Sequence, residues 1–301
     1  MQSISGFCGV YPMAYALFGS DGKLNRAAMR RQLSAMLAHG VHGVAVLGMA
    51  TEVNKLSTAE RRMLMEWAAE DVDGKVPLSV TVAESSIEGQ VEFVRAAKEI
   101  GASWVILQPP RVLNVPEAEL IRFFGAVADR AEIPVGIQNA PEYIGIGLSN
   151  AGLRALNRAH PNVTIAKMET SPIQIRNLLD ETERAMDVFD GRGGVAILEA
   201  LRSGAVGFIP GGECYDVLVR VYNQMTGSDP EAISEAERLH AEVLPLQVFI
   251  MQSLDSLIVY GKQVLCQRLG VNESEPRVPC TPPTEFGLET ARRYANALGR
   301  L

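Results

Sequence analysis

Along the chain, short apolar runs alternate with amphipathic stretches whose apolar positions recur at helical spacing. A first strand is predicted near "GVYPMAY". "NRAAMRRQLSAMLAHG", Asn25 to Gly40, then puts Met29, Leu33, Met36 and Leu37 on one face and stops at Gly40. "HGVAVLG" reads as a short buried strand. "STAERRMLMEWAAE" opens with Ser57 as N-cap and Glu60 three residues on, a capping box. The alternation continues through strands "VPLSVTVAE", "SWVILQPP", "IPVGIQNAP", "NVTIAKME", "AMDVFDG" and "AVGFIPGG". The helical stretches between and after them begin at Ser86, Val115, Ser149, Ser171, Gly194 and Cys214.

Eight strands, each followed by a helix over short connections, imply a parallel sheet. Eight such units in about 225 residues fit an α/β fold closed as a (β/α)8 TIM barrel, for which roughly 250 residues is typical. The rival is a doubly wound open sheet. It lacks support, because no GxGxxG lies between the first strand and the first helix. From Pro230 the pattern changes to helix after helix: "EAISEAERLHAEVLPLQVFIMQ", "SLIVYGKQVLCQRLG" and "TEFGLETARRYANALG". The expected organisation is a barrel over residues 1–229 and a C-terminal helical extension over 230–301, packed on the barrel.

Composition narrows the function classes. The chain has 301 residues, 47% hydrophobic and 21% charged, which suits a large core. A net charge of −7 without a basic block argues against nucleic acid as a partner. Cys8, Cys214, Cys266 and Cys280 form no CxxC pair, so neither a disulfide framework nor a zinc site is expected. A reducing, cytoplasmic setting is the default. The N-terminus lacks a basic region followed by a long apolar run, and no stretch is long and apolar enough to span a membrane. His39, His42, His160 and His240 lie in or beside helices without a spaced partner, and no metal ligand set is expected.

In such barrels the chemistry sits at the C-terminal ends of the strands. The positions there are Gly48 to Glu52, Gln108 to Arg111, Gln138-Asn139, Lys167 to Thr170, Gly191 to Gly194, and Pro210 to Gly212. Lys167 is the sharpest candidate. Of six lysines, the other five (Lys23, Lys55, Lys75, Lys98 and Lys262) fall in helices or polar turns, where a solvated face is the ordinary reading. Lys167 ends an apolar strand, sharing a face with Val163 and Ile165. If that face is the barrel interior, desolvation disfavours the ammonium and frees an amine for attack on a carbonyl. The competing reading is a lysine that reaches solvent or pairs with Glu169. The glycine pairs after strands seven and eight are tight turns or, functionally, exposed amides that hold an anion or polyol oxygens.

These residues together resemble the dihydrodipicolinate synthase/N-acetylneuraminate lyase family of class I aldolase-like barrels. The resemblance runs from "GVYPMAYALFGSDGKLN" through "LGMATEVNKLSTAER" and the Lys167 strand to "GKQVLCQRLG" and "PRVPCTPP". The family's lysine forms an imine with the C2 carbonyl of a 2-keto acid, and Lys167 matches it. Two departures are informative. The usual glycine–hydroxyl–hydroxyl–glycine–glutamate loop is here Gly48-Met49-Ala50-Thr51-Glu52, with both hydroxyl positions apolar. The family's Tyr-Asn-x-Pro becomes Gln138-Asn139-Ala140-Pro141, and the tyrosine pair expected after strand four is Pro110-Arg111. Gln-Asn-Ala-Pro together with Lys-Met-Glu-Thr resembles the branch of 2-keto-3-deoxy sugar-acid dehydratases, typified by L-2-keto-3-deoxyarabonate dehydratase.

The resemblance implies a Schiff-base lyase that needs no metal or organic cofactor. In this reading Lys167 attacks C2, and Glu169 moves the protons at C3 and the C4 oxygen. Gln138 hydrogen-bonds the substrate carboxylate or C4 hydroxyl, and the amides near Ala50 and Thr51 hold the C1 carboxylate. Asn139, Arg111, Gly191 and Gly211 complete the substrate site, with Arg111 or Arg192 available to read a distal carboxylate, and Tyr143 offers a phenol from another position. The alternatives are a pyruvate-dependent aldolase or a condensing synthase of the same family, and a non-catalytic barrel that binds a sugar acid. The family is commonly tetrameric, so a homo-oligomer is expected.

Overall fold

The computed structural model describes residues 3–111, 115–227, 229–272 and 274–301. Eight parallel strands form one sheet. They are β1 (Gly9–Val10), β2 (Val44–Val46), β3 (Leu78–Val82), β4 (Trp104–Leu107), β5 (Val135–Asn139), β6 (Val163–Met168), β7 (Asp187–Asp190) and β8 (Gly207–Phe208). Their order is β1-β8-β7-β6-β5-β4-β3-β2. The two ends of that order meet at a parallel bridge between Met13 and Ala45, where the Ala14 amide donates to the Ala45 carbonyl at 2.8 Å. That contact closes the sheet into a (β/α)8 TIM barrel.

The helices between strands are α1 (Arg26–Ala38), α2 (Thr58–Val72), α3 (Ile87–Glu99), α4 (Glu117–Ala128), α5 (Pro141–Ile144), α6 (Asn150–Ala159), α7 (Pro172–Glu181) and α8 (Ile197–Ser203). After β8 come α9 (Tyr215–Met225), α10 (Pro230–Ile250), α11 (Leu254–Ser256), α12 (Lys262–Leu269) and α13 (Glu285–Leu298). Their starts are set locally. The Asn25 side chain accepts from the Ala28 amide, Ser57 and Glu60 form the reciprocal cap, and Ser149 and Ser171 cap α6 and α7. After β5 the chain turns through the one-turn helix α5, with Pro141 at its first position.

The strands are apolar on both sides because the barrel interior and the helix ring each cover one face. Inside, Trp104 and Phe189 meet at 5.3 Å between ring centroids, and Tyr11 stands edge-on to both. Phe7 stacks on Trp104 from the N-terminal segment, whose Ser3 and Ser5 bind the Asp187 carboxylate at the start of β7. The barrel is thus plugged at that end, leaving the opposite end, where the strands finish, for a site. α10 packs on α9 and α8, and α12 packs on α13 and α1. No single helix among the described residues is long and apolar enough to cross a membrane; α10 and the helical stretch to Leu269 meet that measure only jointly, across a bend of 113°.

Candidate active site

Strand register brings Gln138, Lys167 and Phe189 side by side on β5, β6 and β7. Register neighbours in a parallel sheet point the same way, so Lys167 stands inside the barrel directly above its aromatic floor. It is 5% exposed. Two residues on, Glu169 is also buried and forms an ion pair with Lys167, Nζ to Oε1 at 2.9 Å. The same oxygen, Oε1, accepts from Gln138 Nε2 at 2.6 Å. Gln138 Oε1 in turn accepts from Gln108 Nε2 at 2.8 Å. Three neighbouring strand ends therefore carry a chain of side chains, Gln108 to Gln138 to Glu169, that ends on the lysine. Glu169 Oε2 has no partner among the described residues. A carboxylate held on one oxygen, with the other open, is arranged to take and return a proton beside an amine.

The space above Lys167 is a small cavity, open at its mouth. Lys167, Glu169, Tyr143, Ala50, Gly191 and Gly211 all line it. Glycine is required at 191: a Cβ there would stand 2.7 Å from Glu169 Cγ and 2.9 Å from Lys167 Cε. The close backbone is what lets both side chains lie flat against β7.

The other sequence-derived candidates divide. Ala50 reaches the cavity, and the amides of Met49 and Ala50 make no hydrogen bond among the described residues. They remain available to an anion. Thr51 is turned away: its hydroxyl donates to the Ala14 carbonyl at 2.6 Å and its amide to the Gly48 carbonyl at 3.1 Å. Asn139 does not line the cavity either. Its carboxamide clamps Leu148, donating to the carbonyl at 2.8 Å and accepting the amide at 2.9 Å, and so closes the loop through α5. Gln138 holds Glu169, where the sequence placed it on substrate. Arg111 is exposed and outside the cavity lining. Thr51 and Arg111 lie in loops, where strand alternation no longer predicts direction, whereas Asn139 is still in β5 and takes the opposite face to Gln138.

Several neighbours of the site carry no signal in the sequence. Asp190, at the end of β7, is buried; Oδ1 accepts the Arg192 amide at 3.0 Å and Oδ2 has no partner among the described residues. Burial pushes its carboxyl up to about 7, with Glu169 adding to the rise and Arg192 opposing it. Tyr143, expected only as a phenol from another position, lines the cavity from α5. Burial raises its pKa, and the charge of Arg192 opposes that shift. Met251, Ser253, Leu254 and Leu257 reach the cavity from the far end of the chain, with no local pattern to signal it. Lys262, expected as a solvated helix lysine, is fully buried and ion-paired with Glu52, so that expectation is corrected. Among the described residues no cluster of three His, Cys, Asp or Glu side chains could hold a metal ion.

Comparison with known proteins agrees with this outline. A 4-hydroxy-tetrahydrodipicolinate synthase of Methanopyrus kandleri is 27% identical over 297 residues, 97% of either chain. L-2-keto-3-deoxyarabonate dehydratase of Azospirillum brasilense is 30% identical over 210 residues, 68% of either chain. Among solved structures, a putative dihydrodipicolinate synthetase from Pseudomonas aeruginosa superposes with a TM-score of 0.90 at 25% identity, covering 97% of this chain and 100% of its own. Residues 6–298 match the sequence pattern described as the dihydrodipicolinate synthetase family. With that match spanning barrel, lysine strand and C-terminal helices, the chain belongs to the dihydrodipicolinate synthetase family.

Proposed function

We propose that the protein is a lyase that works through a Schiff base on Lys167, and that it dehydrates a 2-keto-3-deoxy sugar acid. The observation that carries this reading is the contact of Lys167 with Glu169 at 2.9 Å, where Glu169 is steered by Gln138. The amine of Lys167 attacks C2 of the keto acid, the C2 oxygen leaves as water, and a protonated imine forms. That imine accepts the electron pair released when Glu169 Oε2 removes a proton from C3. The resulting enamine expels the C4 hydroxyl, which takes up a proton and leaves as a second water. Loss of a C5 proton and protonation at C3 turn the resulting 3,4-unsaturated imine into a C4–C5 enol, which tautomerises to the C5 carbonyl, and hydrolysis frees Lys167 and the 2,5-dioxo acid. No external oxidant or reductant is needed. The amides of Met49 and Ala50 hold the C1 carboxylate. Tyr143, on the same cavity, is the phenol placed to protonate the departing C4 oxygen.

Dehydration is preferred over carbon–carbon cleavage because of what stands beside the lysine. A carboxamide, Gln138, occupies the strand-five position in the Lys167 row, and a carboxamide positions but does not carry protons. The A. brasilense relative bears the name of such a dehydratase. Borohydride reduction in the presence of pyruvate or a 2-keto-3-deoxy acid tests the reading. Mass spectrometry should place the adduct on Lys167, and Lys167→Ala should abolish it. A wild-type protein that yields no adduct refutes the Schiff base. Product analysis decides the bond: a 2,5-dioxo acid means dehydration, whereas pyruvate plus an aldehyde means aldol cleavage.

A further inference from the structure

The cavity is lined unevenly. Its inner part holds Lys167 and Glu169, with the unengaged amides of Met49 and Ala50 to one side. The loops after β7 and β8 contribute Gly191, Gly193, Pro210 and Gly211, none with a polar side chain. Beyond them stand Met251, Leu254 and Leu257 from the segment joining α10 to α12. Met251 is tight against the β7 loop: its sulfur would lie 2.7 Å from a Cβ built on Gly193. Past Glu169, the side-chain hydroxyls lining the cavity among the described residues are those of Tyr143 and Ser253, while Arg192 lies outside the lining and hydrogen-bonds Tyr143.

A 2-keto-3-deoxy acid bound with C2 at Lys167 uses the inner groups for its carboxylate, C2 and C4. The carbons beyond C4 must pass the apolar wall. A hydroxyl buried there without a partner loses its hydration and gains nothing in exchange. We propose that this wall makes the site selective for short chains with at most one hydroxyl beyond C4. A five-carbon acid is preferred over six-carbon acids. The inference rests on the Schiff-base function proposed for Lys167 and adds the length and polarity of the substrate's far end. The specificity-determining residues are Met251, Leu254 and Leu257.

The full-length protein is assayed with 2-keto-3-deoxypentonate, its 5-deoxy analogue 4-hydroxy-2-oxopentanoate, 2-keto-3-deoxyhexonate and the corresponding hexarate. Borohydride trapping with pyruvate runs in parallel. The two five-carbon acids should agree in kcat/KM within about tenfold, and the six-carbon acids should fall lower by roughly 10- to 100-fold, the range one misplaced group commands. Leu254→Asn or Met251→Gln should narrow that gap while pyruvate trapping at Lys167 is unchanged. If no acid turns over, the same ranking is read from the concentration that half-saturates trapping. Trapping with pyruvate together with equal or better use of the hexonate overturns the proposal and leaves the Schiff base standing. Absence of trapping overturns the Schiff base, and the proposal falls with it.

Discussion

At the scale of single residues, the site is organised around Glu169 rather than around the lysine alone. Gln138 donates to it, Lys167 ion-pairs with it, and Gln108 fixes which way the Gln138 amide points. Replacing Gln138 by leucine keeps the volume and removes the donor. Steady-state assays of Gln138→Leu should show kcat lower by roughly 10- to 100-fold, part of what a positioned acid–base group contributes. KM and the yield of pyruvate trapping should hold within a few-fold. A kcat within twofold of wild type would mean that Glu169 needs no steering. Lys167 is legible from the sequence because a charged residue at the end of an alternating apolar strand is anomalous. The role of Gln138 is not, since its partners lie 30 and 31 positions away. Asn139 and Thr51 illustrate the same limit. Their polar groups serve the backbones of Leu148, nine positions on across the α5 loop, and of Ala14, at the seam where the barrel closes.

At the scale of elements, all eight strands and the helices after them stand where hydrophobic periodicity places them. Burial on both faces of a parallel sheet leaves apolar runs that are hard to misread. The terminal strands are shorter than their apolar runs suggest. β1 and β8 are two residues each, although backbone hydrogen bonds between the two segments run on to Met13 and Pro210. The capping box of α2 has a second use that local pattern could not reveal. Arg277, more than two hundred residues on, grips the Glu60 carboxylate with two nitrogens, at 2.8 and 2.5 Å. That guanidinium holds Glu60 below its ordinary value of 4.5, at about 2. A depressed carboxylate stabilises the fold above its unfolded pKa and loses that contribution as pH falls through the folded one. Urea unfolding of Glu60→Gln should therefore show a loss of ~1–2 kcal/mol at pH 7, reduced from the full shift because both side chains are about a quarter exposed. The gap from wild type should shrink between pH 4.5 and 2. A gap that does not change with pH would show that the ion pair contributes nothing.

Across the whole molecule, buried charges tie the C-terminal helices to the barrel. Lys262 of α12 meets Glu52 in the loop after β2, both without solvent exposure, and lies 4.9 Å from the Phe18 ring centre. Burial pushes the Lys262 ammonium down in pKa and Glu52 opposes it. Arg268 adds a two-pronged contact to Asp216 at 2.8 Å and donates to the Glu213 carbonyl just after β8. Breaking one side of such a pair strands a charge. Glu52→Gln or Lys262→Met should each cost ~3–5 kcal/mol in denaturant unfolding, and the double variant should regain much of that loss. Single-variant losses below about 1 kcal/mol would contradict the pairing.

The segment joining α10 to α12 has a wider consequence. It brings Met251, Leu254 and Leu257 to the cavity, while Lys167, Glu169 and Gln138 all come from the barrel strands and their ends. On the proposed function, bond-making and substrate choice are encoded in well-separated stretches of sequence. Changes in the late segment can then alter what the outer cavity accepts while the Lys167 row stays as it is.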